Sequence, residues 1–226
     1  MGFNTEKYRY YLGMGIEYQV ISKFFLLGFE AYKLPIDFGF DIHVTNKMIQ
    51  TYKEEEPQKD FYIQVKSRVI LPPSENPNKE TVVRFYIKKE DFNNLIKKSD
   101  SVLILYYVSG VKTYNSYFYD PVEWTDWNCY FYGKIEGYKM DLSEYSDITI
   151  HDYLWLNSQH LNYLMENDFV LEDEKNGGYY LETVYYAEQH SVSVSKNKEK
   201  FTFADNLMEL RNLVTGNFEN DPFLSK

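Results

Sequence analysis

The segment 60–71 (DFYIQVKSRVIL) constrains the fold of this chain more than any other part of its sequence. If this segment forms a β-strand, the side chains of Gln64, Lys66 and Arg68 share one face, and the residues between them share the opposite face. A polar row in the middle of an otherwise apolar strand must face water, a partner or a site. The segment therefore predicts a strand within a sheet, on which Gln64, Lys66 and Arg68 form a polar row, the polar corner of the sheet.

A second segment, 39–45 (GFDIHVT), is also typical of a strand. Its alternation places Asp41 and His43 on one face, since successive side chains of a strand point to opposite sides. If this strand pairs with the first one, Asp41 approaches Gln64 and Lys66 closely.

The region before these strands, residues 8–27, has apolar residues at steps of three or four and predicts a helix. Glu17 lies at the edge of its apolar stripe. A carboxylate there costs free energy unless it is paired or binds a metal ion. Packing of this helix against the sheet could bring Glu17 to the same polar corner.

The rest of the chain alternates between strand-like and helix-like segments, and the order predicts an α/β (or α+β) fold with a central mixed sheet flanked by helices. Residues 1–119 are predicted to form the core, and residues 120–226 an α+β extension packed on it. The predicted strands are 29–34, 82–89, 101–109 and 117–122, the predicted helices are 90–99, 147–167 and 203–218, a loop is predicted at 51–60, and a hairpin is predicted within 170–186.

Charge is distributed unevenly along the chain, whose net charge is −10. Residues 1–100 contain 15 Lys and Arg against 14 Asp and Glu, a net charge of +1, and residues 101–226 contain 9 against 20, a net charge of −11. The acidity therefore lies almost wholly in the predicted extension, which could mediate homodimer formation. It leaves the polar corner without a broad basic surface around it.

Several features favour a cytoplasmic protein that does not enter a membrane. No stretch approaches the run of about 20 apolar residues that a membrane helix needs, and the N-terminal residues lack the apolar core of a signal peptide. The single cysteine, Cys129, rules out an internal disulfide framework and argues against a thiolate-rich zinc site.

The residue types of the polar corner suit phosphodiester hydrolysis. Carboxylate and amide oxygens favour Mg²⁺ or Mn²⁺ over softer metals, and such an ion polarises a phosphate and lowers the pKa of water. A lysine beside it could orient or deprotonate that water, or neutralise charge on the phosphate. Taken singly, each residue also has a structural interpretation, and Asp41 could simply pair locally. Asp37 is a weaker candidate for the site, because the preference of aspartate for turns explains its presence at 35–39 equally well.

Four sequence motifs resemble those of the PD-(D/E)xK nuclease superfamily: GMGIE at 13–17, LGF at 27–29, PIDFGFDI at 35–42 and IQVKS at 63–67. They are similar in particular to archaeal Holliday-junction resolvase-like proteins and to bacterial proteins with a GxD motif followed by QVK. The match covers roughly residues 10–105.

The resemblance implies a restriction-endonuclease-like core, a DNA substrate in duplex, branched or single-stranded form, and Mg²⁺ or Mn²⁺ as cofactor. It also implies that Asp41 is the principal metal ligand, Gln64 the second ligand, Lys66 the catalytic lysine and Glu17 a supporting ligand.

Gln64 stands where the superfamily usually has an acidic residue, and this leaves two hypotheses open. One is an active endonuclease, with Arg68 and His43 as candidate phosphate contacts. The other is a weak or inactive nuclease-fold protein that binds nucleic acid or another protein.

Overall fold

The computed structural model of the chain describes residues 5–35, 39–53, 55, 57–70, 80–109, 151–186, 191–196, 199–202 and 209–216. Its helices there are α1 (Thr5–Leu26), α2 (Lys47–Tyr52), α3 (Lys89–Lys97), α4 (Ser158–Glu166) and α5 (Leu210–Thr215). Its strands there are β1 (Glu30–Lys33), β2 (Ile42–Thr45), β3 (Asp60–Ile70), β4 (Thr81–Lys88), β5 (Ser101–Ser109), β6 (His151–Asn157), β7 (Val170–Asp173), β8 (Gly178–Tyr186), β9 (Ser191–Lys196) and β10 (Glu199–Thr202).

Sheet A has the strand order β1-β2-β3-β5-β6 and is mixed. Strands β1, β2 and β3 follow one another as antiparallel neighbours, with Ile42 opposite Ile63 in the β2–β3 pair. Strand β5 lies parallel to β3, with Leu103 beside Gln64, and β6 is antiparallel to β5. Segments 39–45 and 60–71 therefore do contain paired strands, which was the condition for an approach of Asp41 to Gln64 and Lys66.

Sheet B is antiparallel and has the order β10-β9-β8-β4, with β7 also paired to β8. The β7–β8 hairpin turns at Asn176-Gly177, where Gly177 has a φ of 67°, as its sequence predicted. Because β4 belongs to sheet B and β6 to sheet A, each sheet combines strands from both sides of residue 120.

Sheet A is covered on both faces, and two adjacent tyrosines of β5 mark the two sides. Tyr106 donates a hydrogen bond to Gln19 Oε1 of α1 at 2.9 Å. Tyr107 points the opposite way and donates to Thr183 Oγ1 of β8, also at 2.9 Å. Residues 101–108 are all buried, which agrees with the strongly apolar sequence of this strand.

Most of the predicted elements that fall in the described ranges are confirmed, and so is the α/β class with a mixed sheet flanked by helices. Helix α2 extends into the predicted loop 51–60. The Asn46 side chain holds the ends of this connection together, since it donates to Pro57 O at 2.8 Å and accepts from Lys59 N at 2.7 Å. The predicted strand 117–122 lies outside the described residues, as do parts of the predicted helix 203–218.

The prediction of one helix over 147–167 is wrong. Within that range, His151–Asn157 forms strand β6 and the helix begins only at Ser158. Strand β6 pairs with β5 from Asn157 opposite Val102 to His151 opposite Val108. This long-range pairing outweighs the helical spacing of the apolar residues.

No helix in the described part of the chain is long and apolar enough to cross a membrane.

Candidate active site

Asp41 directly precedes β2, and its carboxylate reaches strand β3. Its backbone N–H donates to Ile63 O at 2.8 Å, and its Oδ2 accepts a hydrogen bond from the Val65 N–H at 2.6 Å. The backbone of Leu34 donates to Asp41 O at 2.9 Å. These bonds fix the carboxylate beside the residues of β3 that flank Gln64.

Gln64 is buried, with 2% of its surface exposed, in the middle of β3. Its Nε2 donates to Asp91 Oδ2, in the first turn of α3, at 3.1 Å. Its Oε1 is buried and accepts no hydrogen bond from the described residues. A buried amide oxygen without a donor costs about 1–3 kcal/mol, so Gln64 is held in an arrangement that stability alone does not favour.

Asp91 is brought to the site by the close approach of the segment before β2 to α3. Gly39, two residues before Asp41, has a φ of +83°. A Cβ atom at Gly39 would lie 3.1 Å from Asp91 Oδ1 and 3.3 Å from Asn94 Nδ2. Glycine at this position therefore allows the backbone to pass directly against the polar face of α3.

Lys66 lies two residues beyond Gln64 and on the same face of β3, half-buried. Among the described residues, its ammonium group has no hydrogen-bond or ion-pair partner. The site therefore contains a positive charge that none of the described residues neutralises. A partly buried charge is screened less by salt than an exposed one.

Arg68 continues the same face but is tied to the edge of sheet B. Its Nε donates to Arg84 O of β4 at 3.1 Å, and its Nη1 donates to Ser67 O at 3.3 Å. Its guanidinium carbon lies 6.0 Å from the centre of the Phe85 ring. These contacts hold the exposed Arg68 side chain over β4.

His43 forms a pair with Asp60 at the start of β3. Its Nε2 lies 3.1 Å from Asp60 Oδ1, and its ring stacks on Tyr62 with 4.9 Å between the ring centres. Burial raises the pKa of Asp60, but hydrogen bonds, led by the one from Gln58, outweigh burial and hold this pKa below its usual value of 3.8. The contacts of His43 thus give it a structural role in addition to any contact with a ligand.

Glu17 is not brought to Gln64. Its Oε2 lies 2.6 Å from Lys33 Nζ in an ion pair that does not meet hydrogen-bond geometry. By register, Lys33 pairs with Ile42, and Ile42 pairs with Ile63. These residues share the face of sheet A that α1 covers, and Gln64 therefore faces the opposite side.

The side chains of Asp41, Gln64 and Asp91 bring two carboxylates and one amide to the polar corner. The described residues contain no group of three or more histidine, cysteine, aspartate or glutamate side chains that could hold a metal ion. Asp37 lies outside the described residues. The unpaired Oε1 of Gln64 beside a carboxylate fits a hard divalent cation such as Mg²⁺ or Mn²⁺.

Asp91 is the site residue that the sequence analysis missed. It stands in the acidic start of the predicted helix 90–99, and the helix dipole alone accounts for acids at that place. Asp91 lies 27 residues from Gln64 along the chain, so no short sequence motif contains both residues. A helix that connects two parallel strands packs on one face of their sheet, but the parallel pairing of β3 with β5 was not predicted from the sequence.

Comparisons of this chain with protein-family models, with curated proteins and with solved structures found no match.

Proposed function

We propose that the protein is a metal-dependent endonuclease that hydrolyses DNA phosphodiester bonds, with Mg²⁺ or Mn²⁺ held by Asp41 and Gln64. The observation that carries the proposal is the buried Gln64 Oε1, which lacks a donor among the described residues. Gln64 is the chain neighbour of Val65, whose backbone N–H binds the Asp41 carboxylate. An uncompensated acceptor of this kind is tolerated where a ligand completes it.

The arrangement of elements also supports the proposal. The strand with Gln64 and Lys66 pairs with the strand that follows Asp41, and the chain then passes through β4 and α3 to β5, which lies parallel to β3. This agrees with the restriction-endonuclease-like core that the sequence resemblance implies. The resemblance and the geometry are separate arguments for the same three residues.

Each residue has a distinct part in the proposed reaction. Asp41 and Gln64 supply oxygen ligands, and the bound ion supplies Lewis-acid polarisation of the phosphate. Lys66 supplies an unpaired positive charge next to these ligands, which stabilises the charge that develops on the phosphate and orients the attacking water. Glu17 has no part in the site as we propose it, because it pairs with Lys33 on the other face of sheet A.

The alternative is a nuclease-like fold that binds a partner without cleaving it. The neutral amide of Gln64 favours this alternative, because it binds a metal ion less strongly than a carboxylate does, and its hydrogen bond to Asp91 would equally serve a purely structural network. The acidic residues of the second part of the chain would then dock a basic partner. Metal binding separates the two functions, since the binding module does not need an ion at Asp41.

Plasmid cleavage with Mg²⁺ or Mn²⁺ tests the proposed function. We expect Asp41→Ala and Lys66→Ala each to lower the cleavage rate by about 100-fold or more, the loss typical of removing a catalytic group. Lys97→Ala, which removes an exposed lysine at the end of α3, is the matched control and should cleave like the wild-type protein. Cleavage that survives both site substitutions would overturn the assignment.

A further inference from the structure

The two ends of the Gln64 side-chain amide have different surroundings. The NH₂ end donates to the Asp91 carboxylate, while the oxygen end has no donor among the described residues. An amide in a buried site can turn by half a rotation and exchange these two ends. The side chain would turn if the group that accepts from its NH₂ end could equally well donate a hydrogen bond to its oxygen.

Asp91 prevents this exchange. An ionised carboxylate only accepts hydrogen bonds, so it attracts the NH₂ end of Gln64 and repels the oxygen end. The Asp91 side chain is itself confined, because it lies on the first turn of α3 and the backbone at Gly39 passes close to its Oδ1. The direction of Gln64 Oε1 is therefore set by a neighbour in a fixed place.

We propose that Asp91 is a positioning residue, which holds the Gln64 amide with its oxygen directed at the divalent cation. This inference rests on the proposed metal site. It explains how a glutamine can serve at a ligand position: a neutral amide has one oxygen, and that oxygen must point at the ion. A glutamate at residue 64 would need no such help, because both of its carboxylate oxygens are acceptors.

The test measures Mn²⁺ affinity by calorimetry for Asp91→Asn in two backgrounds. In the wild-type background, the introduced asparagine side chain has an NH₂ donor as well as an oxygen acceptor, so it no longer holds the Gln64 amide in one orientation. We expect Mn²⁺ to bind 10 to 100 times more weakly, the range typical of lost support for a metal ligand. In a Gln64→Glu background there is no amide to orient, so Asp91→Asn should weaken Mn²⁺ binding only through the loss of one nearby negative charge, and clearly less than in the wild-type background.

Glu90→Gln is the matched control for the loss of one negative charge. Glu90 is the exposed neighbour of Asp91 in the same helical turn, so this variant should change the Mn²⁺ affinity by less than about threefold, as expected for a screened surface charge. Equal weakening of Mn²⁺ binding by Asp91→Asn in both backgrounds would overturn the inference. It would mean that Asp91 binds the ion directly or supports the fold, since neither role depends on which residue stands at position 64. No weakening in the wild-type background would also overturn it.

A second measurement does not depend on the metal. The side-chain NH₂ of Gln64 gives its own NMR signals in ¹⁵N-labelled protein, and they should shift and exchange faster with solvent in Asp91→Asn. If wild-type protein shows no Asp41-dependent Mn²⁺ binding, the proposed function fails. The role of Asp91 toward an ion then fails with it, and the NMR signals test only whether Asp91 orients the Gln64 amide, which signals unresponsive to Asp91→Asn would overturn.

Discussion

Single residues decide the geometry of this site, and Gly39 is the plainest example. Its φ of +83° lies in a region that side chains with a Cβ atom rarely adopt. It stands between Leu34, which bonds to Asp41, and the carboxylate that bonds to Val65. The position of Asp41 therefore depends on a residue that has no side chain of its own.

Replacement of Gly39 by alanine should destabilise the protein by about 1–3 kcal/mol, the usual cost of a residue held in such a conformation. The added Cβ would also press on Asp91 Oδ1, 3.1 Å away. Urea unfolding measures this loss. Gly15→Ala is the matched control, because a Cβ at Gly15 in α1 meets nothing within 4 Å and alanine in a helix interior stabilises by about 0.5–1 kcal/mol. A Gly39→Ala protein as stable as the wild type would contradict the strained backbone.

How far the sequence predicted the site also depends on individual residues. Strand alternation placed Gln64 and Lys66 on one face, because that relation is local and has a fixed period of two. The sequence could not place Glu17, since helical spacing tells which residues share a stripe but not which sheet face receives the stripe. The Gln64–Asp91 contact could not be predicted from the sequence either, because it forms only when α3 packs on the sheet.

At the scale of elements, the boundary between β6 and α4 shows why the helix predicted over 147–167 was wrong. Tyr153 and Trp155 point to one face of sheet A, and Leu154 and Leu156 to the other. Both faces are covered, so all four central positions, 153–156, favour a large apolar side chain and the period of two disappears there. The helix start is marked instead by Asn157, a preferred residue for an N-cap.

Asn157 and the buried His160 form a reciprocal cap at the start of α4. Asn157 Oδ1 accepts from His160 N at 2.9 Å, and His160 Nδ1 accepts from Asn157 N at 3.1 Å. We expect Asn157→Ala to lower the free energy of unfolding by about 1 kcal/mol, the typical loss of an N-cap. Asn157→Ser keeps an oxygen acceptor and should lose clearly less. Equal losses in urea unfolding would show that the cap does not hold this boundary.

At the scale of the whole molecule, the contact between the two sheets joins the early and late parts of the chain. Tyr107 of sheet A donates to Thr183 of sheet B, and Thr183 Oγ1 donates in turn to Val83 O at 3.2 Å. The ring of Tyr107 also lies 5.3 Å from the Phe85 ring in an edge-on contact. Burial raises the pKa of Tyr107, so its hydroxyl stays protonated and remains a donor.

A double-mutant cycle between Tyr107 and Thr183 measures this coupling between the sheets. Thr183→Val leaves the buried Tyr107 hydroxyl without an acceptor and should cost about 1–3 kcal/mol, the penalty for an unsatisfied buried group. Tyr107→Phe should cost less, because Thr183 still donates to Val83. The double variant should then lose less than the two single losses added together.

The double-mutant cycle requires that the two sheets unfold as one unit. The loss of a contact between the sheets lowers the stability of the whole molecule only when unfolding is cooperative. Unfolding followed by tyrosine fluorescence and by circular dichroism should therefore give the same midpoint for each variant. Additive losses would mean that the hydroxyl of Tyr107 finds another partner when Thr183 is changed. Two separate transitions would mean that sheet B unfolds independently of sheet A, even though each sheet contains strands from both parts of the chain.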